Sequence, residues 1–308
     1  MTLTELRYIV ALSHEGHFRR AAMRCHVSQP TLSVAIKKLE NNLGVTLFER
    51  GLAVVKPTAV GERFVSQAEK VLAEAQQLED IASVGRDQLS VPLRLGVIYT
   101  VAPYLLPNLV PQVHRLAPQM PLHLQENFTH YLADMLRHNQ VDAIIVALPF
   151  TQKGVVARPL YDESFRVLLP CGHPLSDLQE IPVDHLGAAQ LLLLGQGNCF
   201  RDQVVEACPQ VDVENREFSR GLESSSLETL RYMVSSGAGI SVVPASAVQA
   251  WQQRGDTTAS NYLIRPFAEP VPGRRIALAW RATFPRPKVI DILCEALAQT
   301  PPDGVEVV

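Results

Sequence analysis

Cys199 and Cys208 are the side chains of this chain best placed to do chemistry. Asn198 is a residue type that caps helix N-termini and Pro209 is one that stops a helix, so 199–207 reads as helical. Cys199 then stands at the helix N-terminus, where unpaired N–H groups and the macrodipole favour a thiolate. A cation, Arg201 or Arg275, would favour it further. A thiolate attacks peroxide to give a sulfenic acid, and a second thiol can condense with that product. Nine residues along an intact helix separate the two Cα atoms by ~13.5 Å. A disulfide tolerates at most about 7 Å. The sulfurs therefore cannot join until the segment unwinds. Spacing alone leaves two readings open, a redox pair or two idle thiols.

The other three cysteines read as bystanders. Cys25 falls in an apolar slot, Cys294 lies in a helical stretch at 292–297, and Cys171 sits in a loop beside Gly172. No C-x-x-C and no Cys/His cluster at zinc spacing occurs, so neither metal nor cofactor is expected. His14 and His17 read as solvated surface residues.

A second constellation, FRRAAMRCHVSQPTLSVAIKKLE over 18–40, is built for recognition. Small Ala21 and Ala22 let a first helix pack closely, Val27 plugs a turn, and Ser28 is an N-cap for a second helix. Pro30 falls in that helix's first turn, where a missing N–H costs little. Leu32, Ile36 and Leu39 repeat at helical spacing and face a core, which leaves Gln29, Thr31, Ser33 and Lys37 outward. That is a helix-turn-helix with a hydrogen-bonding face for a DNA major groove. An ordinary amphipathic hairpin would look similar, and charge separates the two. Residues 1–56 hold eight Lys/Arg against four acids, a local +4, while the whole chain is −3. A basic head on an acidic body is expected when only the head meets phosphate.

Further elements position these groups. A wing follows from 47–50 and 53–56 around Gly51, with Arg50 at its base as a phosphate contact. Thr58 caps a helix running to about Val84, and Phe64, Ala68, Val71, Ala75, Leu78 and Ala82 form a coiled-coil seam along it. A seam that long calls for a second copy of the chain. From Leu93 strands and helices alternate, with strands at 93–98, 122–125, 142–148, 165–169, 190–194 and 240–243, which points to a parallel sheet covered on both faces. Ser225 and Glu228 read as a capping box. The region is long for one small sheet, so two α/β lobes are expected, with crossings near 162–166 and 265–270. The divisions are 1–57 for the head, 58–88 for the linker helix and 89–308 for the regulatory domain. Lobe I takes 89–163 and 268–308, lobe II 164–267. The N-terminus lacks a basic, apolar secretion signal and no run approaches the ~20 residues of a membrane span. A cytoplasmic protein is expected, with no membrane partner.

The order of these parts resembles the LysR-type transcriptional regulators. Arg19-Arg20-Ala21-Ala22, the run from His26 to Ser33, Leu39-Glu40, Leu43-Gly44 and Leu47-Phe48-Glu49-Arg50 carry the likeness. The run from Gly195 to Gln203 with Cys208, that from Ser224 to Arg231, Ile98-Tyr99-Thr100 and Thr129-His130 resemble the peroxide-sensing members of that family. The resemblance spans nearly the full length. It implies an α/β fold with a winged helix-turn-helix, a long linker helix and a two-lobed periplasmic-binding-protein-like regulatory domain. It implies a homotetramer, a dimer of dimers, that binds a double-stranded DNA operator and activates antioxidant genes through RNA polymerase. It further implies a reversible Cys199–Cys208 disulfide, with Cys199 peroxidatic, Cys208 resolving, and Thr100, Thr129 and Asn198 holding hydrogen peroxide. Read without it, both threonines would be helix N-caps. The likeness departs at Asn198, where such regulators commonly carry a His.

Two other functions fit parts of the sequence. A LysR-type regulator could bind a small-molecule effector in the inter-lobe cleft, its cysteines incidental. A thiol peroxidase would use both cysteines in turnover, but an enzyme has no use for the basic head, so no catalytic activity is expected.

Overall fold

The structure, a computed structural model, describes the chain except for residues 50–53, 84–87, 189, 210–223, 225 and 254–260. It divides into two compact units, a smaller N-terminal one and a larger one that begins ahead of Leu93. In the first, α1 (Leu3–Glu15) opens on a Thr2/Glu5 capping box and closes on Gly16 at φ 59°. After it come α2 (Phe18–Arg24) and α3 (Gln29–Leu43). Ile9, Leu12, Ala21, Leu32, Ile36 and Leu39 make their common core. Ser28 caps α3 by accepting from the Thr31 N–H, and Gly44 closes it at φ 69°. The wing is two antiparallel residue pairs, between β1 (Phe48–Glu49) and β2 (Lys56–Pro57). Its second strand thus begins at Lys56, later than the 53–56 expected. Thr58 starts α4 (Ala59–Ser83), its Oγ1 accepting from Gly61 N–H at 3.0 Å. His14 and His17 are both exposed, as expected, and each makes one bond. His14 Nε2 lies 2.9 Å from Glu69 Oε1 on α4, and His17 Nδ1 caps α2 by accepting from Arg19 N–H.

Among the described residues, the larger unit holds a nine-stranded mixed sheet folded around two cores. The remaining strands are β3 (Leu93–Ile98), β4 (Leu122–Asn127), β5 (Ala143–Ala147), β6 (Val155–Pro170), β7 (Leu191–Leu192), β8 (Ile240–Pro244), β9 (Tyr262–Pro266), β10 (Gly273–Arg281) and β11 (Val305–Val307). Their order is β4-β3-β5-β10-β6-β8-β7, with β9 and β11 also on β6. Parallel pairing holds for β4-β3-β5 and β7-β8, whereas every pair made by β10, and every other pair of β6, is antiparallel. The sheet expected to be parallel is therefore mixed. The chain passes between the lobes twice in opposite directions, along β6 and back along β9 and β10, so the crossing strands run antiparallel. Residue 164 pairs with Gly273 of β10, while Phe165 already pairs with Pro244 of β8.

The helices are α5 (Ala102–Leu116), α6 (Thr129–Arg137), α7 (Cys199–Ala207), α8 (Leu227–Ser235), α9 (Ala245–Gln253) and α10 (Pro287–Gln299). Leu95, Val97, Ile144, Leu132, Ile276 and Leu293 centre the first core, and Phe165, Val167, Phe200, Leu230 and Trp251 the second. A Cβ at Gly96 would lie 2.7 Å from Leu132 Cδ2, so glycine there lets Leu132 of α6 pack directly on β3. The expected Ser225/Glu228 capping box falls on a residue outside the described ones, Ser225. The N-cap of α8 is Ser226, with no side-chain bond. Glu228 accepts from Trp251 Nε1 at 2.6 Å and Arg231 Nη2 at 2.9 Å. Among the described residues no helix is long and apolar enough to cross a membrane.

Candidate functional site

Both candidate cysteines belong to α7, and the helix fixes their separation. Asn198 caps it, its Oδ1 accepting from Phe200 N–H at 3.0 Å. Cys199 is the first helical residue and Cys208 the C-cap, donating its backbone N–H to Val204 O at 3.0 Å. Both thiols are free. Their environments are opposite. Cys199 is half-buried against the first core, while Phe200, Val204 and Cys208 are buried in the second. The helix thus lies where the two cores meet. Cys208 is fully buried, and burial pushes its thiol up to about 11. Leu194 bridges Ser224, and Gly195 N–H donates to Ser224 O at 2.9 Å, so the segment carrying both thiols is clamped at its two ends.

Lobe I brings its own polar atoms to this place. Gly197, at φ 83°, turns the chain into α7, and a Cβ there would lie 3.8 Å from His130 Cε1. Thr129 Oγ1, at the start of α6, and Gln203 Oε1, one turn along α7 from Cys199, are buried with no hydrogen-bond partner among the described residues. Gln203 Nε2 donates to Leu148 O at 3.3 Å. Thr100 is buried, and its Oγ1 accepts from Arg274 Nη1 at 2.9 Å. Arg274 also donates to Glu163 Oε2 at 2.7 Å, an ion pair with both side chains fully buried, and its guanidinium lies 4.9 Å from the Phe200 ring centroid. Neither threonine serves as a helix N-cap through its side chain.

Two cations proposed from sequence are engaged elsewhere. Arg201 donates to Leu194 O at 3.0 Å, and Arg275 grips Asp162 with two bonds of 2.6 Å. Sequence reasoning missed Arg274 and Gln203. Gln203 had a local signal, four residues beyond Cys199 on the same helix face. Arg274 had none, since the fold alone brings β10 to α7. Of the remaining thiols, Cys171 is exposed, and burial raises the thiols of Cys25 and Cys294.

On α3, Gln29, Pro30, Thr31 and Lys37 are exposed and Ser33 is half-buried. Thr31 Oγ1 sits 2.7 Å from Ser28 Oγ, so part of its hydrogen-bonding capacity goes to the cap. Val34, absent from the recognition face drawn from sequence, is 66% exposed. Arg50 lies outside the described residues.

Residues 3–62 match the profile of the bacterial regulatory helix-turn-helix proteins of the lysR family, and residues 86–301 match the LysR substrate binding domain. The chain belongs to the LysR family. Among LysR proteins it is 39% identical over 297 residues to the DNA-binding transcriptional dual regulator OxyR of Escherichia coli K12, covering 96% of this chain and 95% of that one. Full-length OxyR from Pseudomonas aeruginosa, solved as a cysteine-to-aspartate mutant, superposes with a TM-score of 0.74 at 53% identity, covering 97% of this chain and 98% of that one. A cysteine mutant of Corynebacterium glutamicum OxyR with hydrogen peroxide bound gives 0.64 at 32% identity, covering 97% and 92%.

Proposed function

We propose that this LysR protein is a hydrogen-peroxide-sensing transcription regulator of the OxyR type, switched by a reversible Cys199–Cys208 disulfide. The observation that carries the mechanism is that one intact helix holds the two thiols at its opposite ends. The Cys199 thiolate attacks one oxygen of hydrogen peroxide. The O–O bond breaks, sulfur becomes a sulfenic acid, and the departing hydroxide takes a proton to become water. The Cys208 thiol then attacks the sulfenic sulfur, its proton leaves with the hydroxyl as a second water, and the disulfide forms. Peroxide is reduced by two electrons and the thiol pair oxidised by two. The second step requires α7 to unwind, because ~13.5 Å between Cα atoms is about twice what a disulfide spans. It also requires Cys208 to leave the core that keeps it protonated. The unpartnered Thr129 Oγ1 and Gln203 Oε1 support peroxide capture beside Cys199. Thr100, oriented by Arg274, and the capping Asn198 complete that pocket.

In this reading residues 1–57 bind an operator, 58–88 pair two chains and 89–308 sense. Val71 and Leu78 on α4 are exposed, 39% and 69%, as a helix awaiting its second copy would leave them. The assembly is a cytoplasmic homotetramer that activates transcription with RNA polymerase, and refolding of α7 alters the spacing of its DNA-binding heads.

Footprints of the reduced and peroxide-treated protein on one operator test the switch. They should differ in the wild type and coincide in Cys199→Ser. Coinciding footprints in the wild type would remove the mechanism. The match to a substrate-binding domain favours a second reading, an effector in the inter-lobe cleft. A Cys199→Ser protein that still switches with a metabolite would establish it.

A further inference from the structure

We infer that Val34 reads the C5-methyl group of a thymine in the major groove, which makes this chain's operator choice depend on a methyl. The inference rests on the DNA-binding reading above and adds a base-specific contact to it. Leu32, Ile36 and Leu39, each no more than 1% exposed, fix which side of α3 faces the core. At about 100° per residue, Val34 points roughly 190° away from their mean direction, the crest of the opposite face. Pro30 precedes it by one turn, and Thr31, Lys37 and Lys38, all exposed, flank it. Val34 is therefore a two-thirds exposed aliphatic group at the centre of a cationic, hydrogen-bonding surface.

The chemistry of the groove identifies its occupant. Among the base-pair edges there, thymine alone presents a methyl; cytosine offers only a C5–H, and the hydrogen-bonding groups are donors and acceptors that an aliphatic side chain cannot satisfy. A β-branched side chain on a helix holds one dominant rotamer, so little rotamer freedom is lost when the contact forms. Lys37 and Lys38 supply phosphate attraction, which carries no base identity.

The test uses the full chain and the tightest duplex it selects from a randomised DNA pool. Each thymine in turn is replaced by deoxyuridine, which removes the methyl and nothing else. At one position per half-site, the wild type should lose about 4-fold in affinity, the worth of one buried methyl-sized group. Val34→Ala should bind the thymine and deoxyuridine duplexes alike. Val34 is solvent-exposed, so the variant keeps its core. If deoxyuridine scanning separates no position, or Val34→Ala loses the same factor as wild type, the inference is overturned and DNA binding stands. If the full chain selects no duplex from the pool, the regulator reading itself fails and the inference goes with it.

Discussion

The two thiols of α7 differ in what surrounds them, and in the proposed switch that difference sets the order of events. Cys199 touches the first core from its edge, while Cys208 is sealed inside the second. Burial pushes the Cys208 thiol from its ordinary 9.0 up to about 11, so the folded chain favours the protonated form. A thiol raised by folding contributes stability that is complete below the unfolded value and lost as pH climbs through the folded one. The urea midpoint of the reduced protein should accordingly fall between pH 9 and about 11. Cys208→Ala should lack that component of the fall. At neutral pH, mass mapping after brief iodoacetamide treatment should find label on Cys199 and none on Cys208 until urea unfolds the chain. Equal labelling of both would show that the second thiol is not held in reserve.

The helix between them works as a spring whose relaxed length keeps the sulfurs apart. Asn198 caps it, Phe200 and Val204 anchor its buried face, and the Leu194–Ser224 bridge clamps the chain on either side. Removing the cap weakens only the reduced, helical state, so oxidation should become easier. Loss of an N-cap costs about 1 kcal/mol, which for a two-electron couple is roughly 20 mV. Asn198→Ala should move the midpoint potential of the thiol pair to more negative values by that amount, and Asn198→Ser, which keeps a capping oxygen, should restore it. A glutathione titration reads both, and an unchanged potential in Asn198→Ala would mean that α7 does not oppose the disulfide. The linker helix α4 is an element of the other kind, whose exposed Val71 and Leu78 the proposed second copy would cover.

Across the regulatory unit, the Arg274–Glu163 pair ties α7 to the crossing strands. Arg274 stands on β10 and Glu163 on β6, Thr100 joins from the turn before α5, and Ser246 N–H donates to Glu163 Oε1 at 3.0 Å. Arg274→Ala would strand a buried carboxylate, and breaking such a pair costs about 3–5 kcal/mol. A fall of that size in urea-unfolding free energy is the expected outcome, and a fall under 1 kcal/mol would show that Glu163 finds other partners. Much of this molecule was legible in the sequence. The recognition helix, its caps at Ser28 and Gly44, the long helix from Thr58 and the helical span between the two cysteines all follow from local rules, because capping, periodicity and helix-stopping act within a few residues. The mixed sheet was not legible, since strand direction depends on which distant strands pair and not on alternation along the chain. Nor were the Arg274–Thr100–Glu163 network, the engagement of Arg201 and Arg275 with other partners, or the roles of His14 and His17. Each joins groups that the tertiary fold makes neighbours, and burial decides which ionisable side chains find a partner. Residue types and spacing determined that two thiols sit a helix apart; only the packing of two lobes around that helix decided that one is reachable and the other withheld.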